Sequence, residues 1–160
     1  MVNLSRRRCL TFALAIGTAL LLLPPPAARA SDVDWETETA PSRIEIVISK
    51  AAQEMSVYVD GALMQVFVVS TGRAGQRTPS GVFSVVRMHL MAYAPKYDNA
   101  PMPHSIFFTR QGHAIHGTGH LRTLGQPVSH GCVRLTEEAA EWLYEMVQQV
   151  GRRNTTIRVM

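Results

Sequence analysis

Cysteine is scarce in this 160-residue chain, which has only Cys9 and Cys132. A framework of disulfides, the usual staple of small secreted domains, is therefore excluded. No internal repeat or low-complexity tract is present, so the chain is neither a solenoid nor an array. The loop Thr71-Gly72-Arg73-Ala74-Gly75-Gln76 lacks the G-x-x-x-x-G-K spacing and any lysine, which removes the phosphate-loop reading and with it a nucleotide site. None of the usual structural-zinc spacings occurs. The length suits one compact domain and is too small for two.

What is present begins with a leader. Arg6, Arg7 and Arg8 form a positive n-region, Leu10 to Leu23 an apolar run, and Ala28-Arg29-Ala30 a small-residue cleavage site. Together they describe a signal peptide over residues 1–30, and the apolar run is short for a membrane span. The stretch from Ser5 to Leu10 resembles a twin-arginine export signal, with Cys9 where an aromatic is usual. Removing the leader takes away four basic residues and no acidic one, leaving twelve of each sign. The basic character of the whole chain thus comes from the leader and gives no reason to expect nucleic acid as a partner. Cleavage also removes Cys9, so Cys132 has no intramolecular disulfide partner in an exported, periplasmic or envelope setting.

Residues 31–42, SDVDWETETAPS, are acidic and polar and read as a flexible extension. From Arg43 onward the pattern is that of strands. Ile44, Ile46 and Ile48 alternate, and the runs Met55–Val59 and Leu63–Val69 flank Asp60-Gly61, a hairpin signal. Thr78-Pro79-Ser80-Gly81 reads as a turn leading into a strand over Val82–Val86. Residues 88–104, with Tyr93, Tyr97 and three prolines, show little periodicity and read as an irregular insertion that could serve as a lid. Ser105–Thr109 and Ala114–His116 read as short strands. Thr136 can cap a helix that begins with Glu137 and Glu138, places Ala139, Leu143, Met146, Val147 and Val150 on one face, and closes at Gly151. A last strand is expected over Thr155–Val159. The fold class is mostly β with one helix in the C-terminal half.

Four of the six histidines and the one cysteine beyond the leader fall within residues 113–134. A lone cysteine is by default a small buried hydrophobe; this grouping argues instead for a nucleophile. A thiol becomes reactive when a base or cation holds it as thiolate, and His116 and His130 are the candidates. His130 is only two residues from Cys132 and constrained in its approach, so His116, from another strand, is the more natural base. Pairing with imidazolium is expected to lower the thiol pKa below that of free cysteine. Gly131 permits a sharp turn that could aim main-chain N–H groups at a substrate oxygen. Zinc is the competing reading: His113 and His116 would point to opposite faces of a strand, leaving His116, His120, His130 and Cys132 as a conceivable set.

Ile115-His116-Gly117-Thr118 followed by Ser129-His130-Gly131-Cys132-Val133-Arg134-Leu135 resembles the signature of the YkuD-type L,D-transpeptidases of bacterial cell walls. Ser70-Thr71-Gly72 and Thr78-Pro79-Ser80-Gly81-Val82-Phe83 resemble two further motifs of that family, in the same order, so the likeness covers about residues 43–160. It implies a β-sandwich-like catalytic domain needing no cofactor or metal, with peptidoglycan stem peptides as donor and acceptor. By that resemblance Cys132 is the nucleophile and His116 the general acid/base, oriented by the carbonyl of Gly117. His130 and Gly131 would line the oxyanion region, and Arg134, Ser129, Tyr93 and Tyr97 are the substrate-binding candidates. The acceptor could be a second stem, giving a 3-3 cross-link, or water, or a protein lysine. A non-catalytic wall-binding domain is the rival from another class; it should have lost the thiol or the base, and both are kept.

Overall fold

The computed structural model describes residues 41–160. The expected signal peptide and all but the last two residues of the expected acidic extension lie outside these residues. The described chain begins with a three-stranded meander, β1 (Ile44–Ser49), β2 (Glu54–Val59) and β3 (Ala62–Val68). Its second turn is Asp60-Gly61, with φ of 50° and 89°. Two consecutive left-handed residues match the twist of a two-residue hairpin, which is why this dipeptide signals one.

Next come β4 (Gly81–Ser84), β5 (Arg87–Ala94), β6 (Ala100–Phe107) and β7 (Ala114–Gly117). The chain ends with β8 (Val133–Leu135), the helix α1 (Glu137–Val150) and β9 (Thr155–Val159). They build a five-stranded sheet in the order β3-β2-β1-β9-β4 and a four-stranded sheet in the order β5-β6-β7-β8. Most neighbours are antiparallel, but β1 with β9 and β7 with β8 are parallel. The mostly β class with a single α-helix agrees with the sequence reading.

One hydrophobic cluster joins the layers: Ile44, Ile46, Ile48, Met55, Val57 and Ile157 of the larger sheet meet Ile106, Ile115, Val133 and Leu135 of the smaller one and Leu143 and Val147 of α1. Alternation accounts for the β1 isoleucines, whose intervening Glu45 pairs with Arg158 at 3.0 Å on the opposite face. On α1 the buried stripe is Ala140, Leu143, Tyr144, Val147 and Val150. The stripe is therefore rotated from the expected one: Ala139 and Met146 flank it, half-buried, and Trp142 packs against Phe67 with ring centroids 5.6 Å apart. Tyr144 joins the buried stripe at 8% exposed, while Met146 packs against the same core from its edge.

The stretch expected to be irregular, 88–104, is instead a hairpin of two eight-residue strands, β5 and β6. Prolines hid it. Pro101 and Pro103 pair with Tyr93 and Met91 on one side, while on the other side β7 engages β6 only at Ile106 and Phe107. A proline is tolerated where its missing N–H faces an unpaired flank, and both prolines share that parity.

Thr136 Oγ1 accepts the Ala139 N–H at 3.2 Å, and Gly151, at φ 93°, ends α1. The first residue of α1 also backs the active strand: a Cβ on Gly117 would lie 3.0 Å from the Glu137 Cα. Thr136→Ala should destabilise the domain by about 1 kcal/mol, read as a lower urea midpoint, as expected for the loss of one N-cap.

Candidate active site

Parallel pairing of β7 with β8 sets the frame. His116 lies in register with Arg134 and Ile115 with Val133. Ile115, Val133 and Leu135 face the main core, so the residues of the other parity, His116, Arg134 and Cys132, share the opposite face. Cys132 immediately precedes β8 and packs there beside Met102, Phe107 and Ala114.

His116 is buried, 6% exposed, and its Nδ1 lies 2.7 Å from the carbonyl oxygen of Gly117. A carbonyl only accepts, so Nδ1 carries the proton and Nε2 keeps a free lone pair. Burial pushes the His116 pKa down to about 4; the Gly117 hydrogen bond opposes this shift and the Arg134 charge adds to it. The Cys132 thiol is pushed up by burial, against the opposing pull of the Ala114 backbone N–H and of Arg134. Its sulfur lies 3.8 Å from the Gly112 carbonyl oxygen.

The expectation of a thiol pKa lowered by imidazolium is thereby corrected. Both groups rest neutral, because taking either charge out of water costs more than the local dipoles return.

The turn before Cys132 is held from three sides. Ser129 Oγ accepts the Gly131 N–H at 3.1 Å and donates to the Cys132 carbonyl at 2.5 Å. Thr78 Oγ1 donates to the Gly131 carbonyl and accepts the Gly72 N–H, both at 2.9 Å. Main-chain bonds join Ser129 N to Thr71 O, Arg73 N to Ser129 O, and Ser70 and Arg134 to each other. The two upstream motifs are thus the clamp around the cysteine turn. Gly72 has to be glycine, since a Cβ would lie 2.1 Å from the Gln76 carbonyl oxygen. Gln53, itself buried, clasps Thr71 through both ends of its amide.

Ser129 was expected at the substrate, but it is fully buried and its hydroxyl is spent on the turn. It therefore belongs to the frame. His130 is half-buried and stacks on Tyr97 from the β5–β6 hairpin tip, with centroids 4.1 Å apart and planes 18° apart. Tyr93 is 59% exposed. His120 is also exposed, and among the described residues no group of three or more His, Cys, Asp or Glu side chains is placed to hold a metal.

Sequence reading weighed His113 only as a metal ligand and missed its place against the cysteine turn. Its ring lies against Gly131, whose φ is 115° and where a Cβ would meet the ring at 2.9 Å. Thr109 Oγ1 accepts the His113 N–H at 3.0 Å and lies 2.9 Å from His113 Nδ1. Only the pairing of His113 with a glycine could have signalled the contact, and the two are far apart in sequence.

Fold and site define a class: two-sheet β domains that present a thiol and an imidazole on one face, from a turn and a neighbouring parallel strand. Residues 43–159 match the YkuD family of L,D-transpeptidase catalytic domains, and the chain belongs to that family. It is 29% identical over 120 residues to the Bacillus subtilis protein YqjB, covering 68% of each chain. An L,D-transpeptidase from Mycobacterium tuberculosis superposes with a TM-score of 0.65 at 25% identity, over 75% of this chain and 58% of that one. Another, from Mycobacterium smegmatis, gives 0.67 at 24%, over 74% and 58%. This chain therefore spans less than three fifths of the length of either solved structure.

Two titrations follow. Unfolded, His116 should bind its proton near the ordinary 6.5, whereas folded it does so near 4. Stability is then complete above pH 6.5 and is lost as pH falls towards 4, by about 3 kcal/mol in all. Urea midpoints should fall through that window and flatten in His116→Gln. Alkylation of Cys132 by iodoacetamide should inflect above the free-cysteine value, and higher still in Arg134→Gln. An inflection below free cysteine would restore the thiolate picture.

Proposed function

We propose that this chain is a cysteine-dependent acyltransferase of the bacterial envelope, an L,D-transpeptidase acting on the tetrapeptide stems of peptidoglycan and forming 3-3 cross-links. The observation that carries the reading is the shared face of Cys132 and His116, with the imidazole tautomer set by Gly117 so that Nε2 is free to take a proton.

In the first step the Cys132 S–H proton passes to His116 Nε2 as the sulfur attacks the carbonyl carbon of the diaminopimelate–D-alanine bond. Neutral partners suit this sequence, because charge appears only as the bond forms. The carbonyl oxygen takes up negative charge over the turn 130–132. There the Ser129 clasp occupies the Gly131 N–H and leaves that of Cys132 outside it. The C–N bond then breaks, His116 returns its proton to the departing amine, and a thioester remains on Cys132.

In the second step the amine of an acceptor stem loses a proton to His116 and attacks the thioester, which restores the thiol. Gly117 keeps the ring in one orientation throughout, and His130 and Gly131 shape the oxyanion region. Tyr97, stacked on His130, borders the substrate path. Residues 1–30 would direct the chain out of the cytoplasm, to the periplasm or cell envelope, where its polymer lies.

Incubation with purified disaccharide-tetrapeptide should give an adduct on Cys132 by intact mass and dimeric muropeptides in solution. Cys132→Ala should abolish both, and His116→Ala should slow them by about 10²-fold or more, with His130→Ala milder. Tripeptide without dimers would assign water as acceptor and make the chain an L,D-carboxypeptidase. Full activity of Cys132→Ala would overturn the mechanism.

A further inference from the structure

Two arginines line a groove that acyl transfer at Cys132 does not use. It lies between β5, the edge strand of the smaller sheet, and the C-terminal half of α1, with a volume of about 660 Å³. Arg87 and His89 supply one wall and Tyr144, Gln148 and Arg152 the other, with no acidic residue among them. Each cationic or titratable group is held by something other than an anion. The Arg87 guanidinium carbon stands 3.9 Å from the centre of the Phe107 ring, and His89 meets the same ring edge-on with centroids 5.7 Å apart. Arg152 Nη1 donates to the Val86 carbonyl at 2.9 Å, which ties the helix end to the strand. The single ion pair among the described residues is that of Arg158 with Glu45, so neither groove arginine has a protein counter-ion.

A helix end ordinarily offers carbonyls to such cations. Here the carbonyls of Val147, Val150 and Gly151 are taken by the Gly151 N–H, the Asn154 amide and the Thr155 hydroxyl. The acids of α1, Glu137, Glu138, Glu141 and Glu145, lie outside the groove walls. Two like charges gathered without a counter-ion favour an oxyanion from outside. The planar fork of arginine suits a carboxylate, and a guanidinium over an aromatic ring keeps N–H groups for it.

Register ties this groove to the nucleophile. Arg87 pairs with Phe107 and Phe107 with Ala114. Because Ile115 pairs with Val133 in parallel, Ala114 stands opposite Cys132. Arg87 thus ends a row that begins at Cys132, three strand spacings or about 14 Å away. One residue of extended chain spans only about 3.5 Å, so an anion in the groove does not belong to the residues at the reacting bond. We propose that the groove between β5 and α1 is a second binding site for peptidoglycan, taking a stem-peptide carboxylate remote from the bond being broken. The inference rests on the acyl-transfer reading above for the identity of the polymer. It gives the domain a grip on the wall at two points, one at the thiol and one at the far edge of the same sheet.

The test is co-sedimentation of the Cys132→Ala chain with purified sacculi that hydrofluoric acid has stripped of phosphate polymers. Stripped sacculi are compared with a portion whose carboxylates have been turned to amides by a carbodiimide and ammonia. The free carboxylates should bind at least about 10-fold tighter. Adding Arg152→Gln should weaken binding to them by about 5-fold or more, and to the amidated sacculi by less than about 2-fold. Arg152 is exposed, so this change spares the fold, whereas Arg87→Gln would uncover the Phe107 ring. Arg153→Gln removes the same charge from an exposed neighbour outside the groove walls and should alter neither affinity by more than about 2-fold. An equal loss on both kinds of sacculi with Arg152→Gln, or the same loss with Arg153→Gln, would overturn the site. Retention only on sacculi that keep their phosphate polymers would overturn it too and give the groove to a phosphodiester. Intact mass of the Cys132 protein with soluble disaccharide-tetrapeptide is read separately. Groove-dependent retention without an adduct would overturn acyl transfer and leave the second site standing.

Discussion

One hydroxyl holds the site together. Thr78 Oγ1 takes the Gly72 N–H and gives its own proton to the Gly131 carbonyl, so both ends of the 72–78 loop and the distant cysteine turn meet at a single buried atom. A hydroxyl is the smallest group able to accept and donate at once, and the space here admits nothing larger: Gly72 already touches the backbone on the far side. Ser129 repeats the device one turn away, between the Gly131 N–H and the Cys132 carbonyl. The placement of Cys132 depends on these bonds, because it directly precedes a strand only three residues long.

Around that frame the electrostatics favour patience over readiness. A buried neutral imidazole and a buried neutral thiol store no ion pair in the resting site. Arg134 leans on both in the useful sense, making thiolate easier to form and imidazolium harder to hold. The site is thus biased towards a thiolate that forms as substrate enters and towards a base that gives its proton back. Such a balance suits a two-step transfer in which one histidine must reverse its role.

Much of this could be seen in the sequence, and the residues say why. Asp60-Gly61, the β1 isoleucines and Thr136 with Gly151 are local signals, each readable within a few positions. The four motifs around Gly72, Thr78, His116 and Cys132 gave the family. What stayed hidden is long-range or ambiguous. Pro101 and Pro103 disguised a strand, since periodicity cannot tell an unpaired flank from a loop. Ser129 looked like a substrate contact because a hydroxyl beside a nucleophile carries no mark of burial. The seating of His113 on Gly131, and of Arg73 beside His130, exists only once residues 70–78 and 108–114 are folded onto the cysteine turn.

The depth at which Cys132 sits has a meaning beyond acyl transfer. Oxidation to sulfenic acid and beyond proceeds through thiolate and needs access to the sulfur. A half-buried sulfur whose pKa is raised by desolvation offers little thiolate to peroxide. The chain has no second cysteine in its folded domain to rescue an oxidised one through a disulfide. Chemical longevity of this thiol therefore rests on desolvation, which holds back the ionisation that oxidation requires.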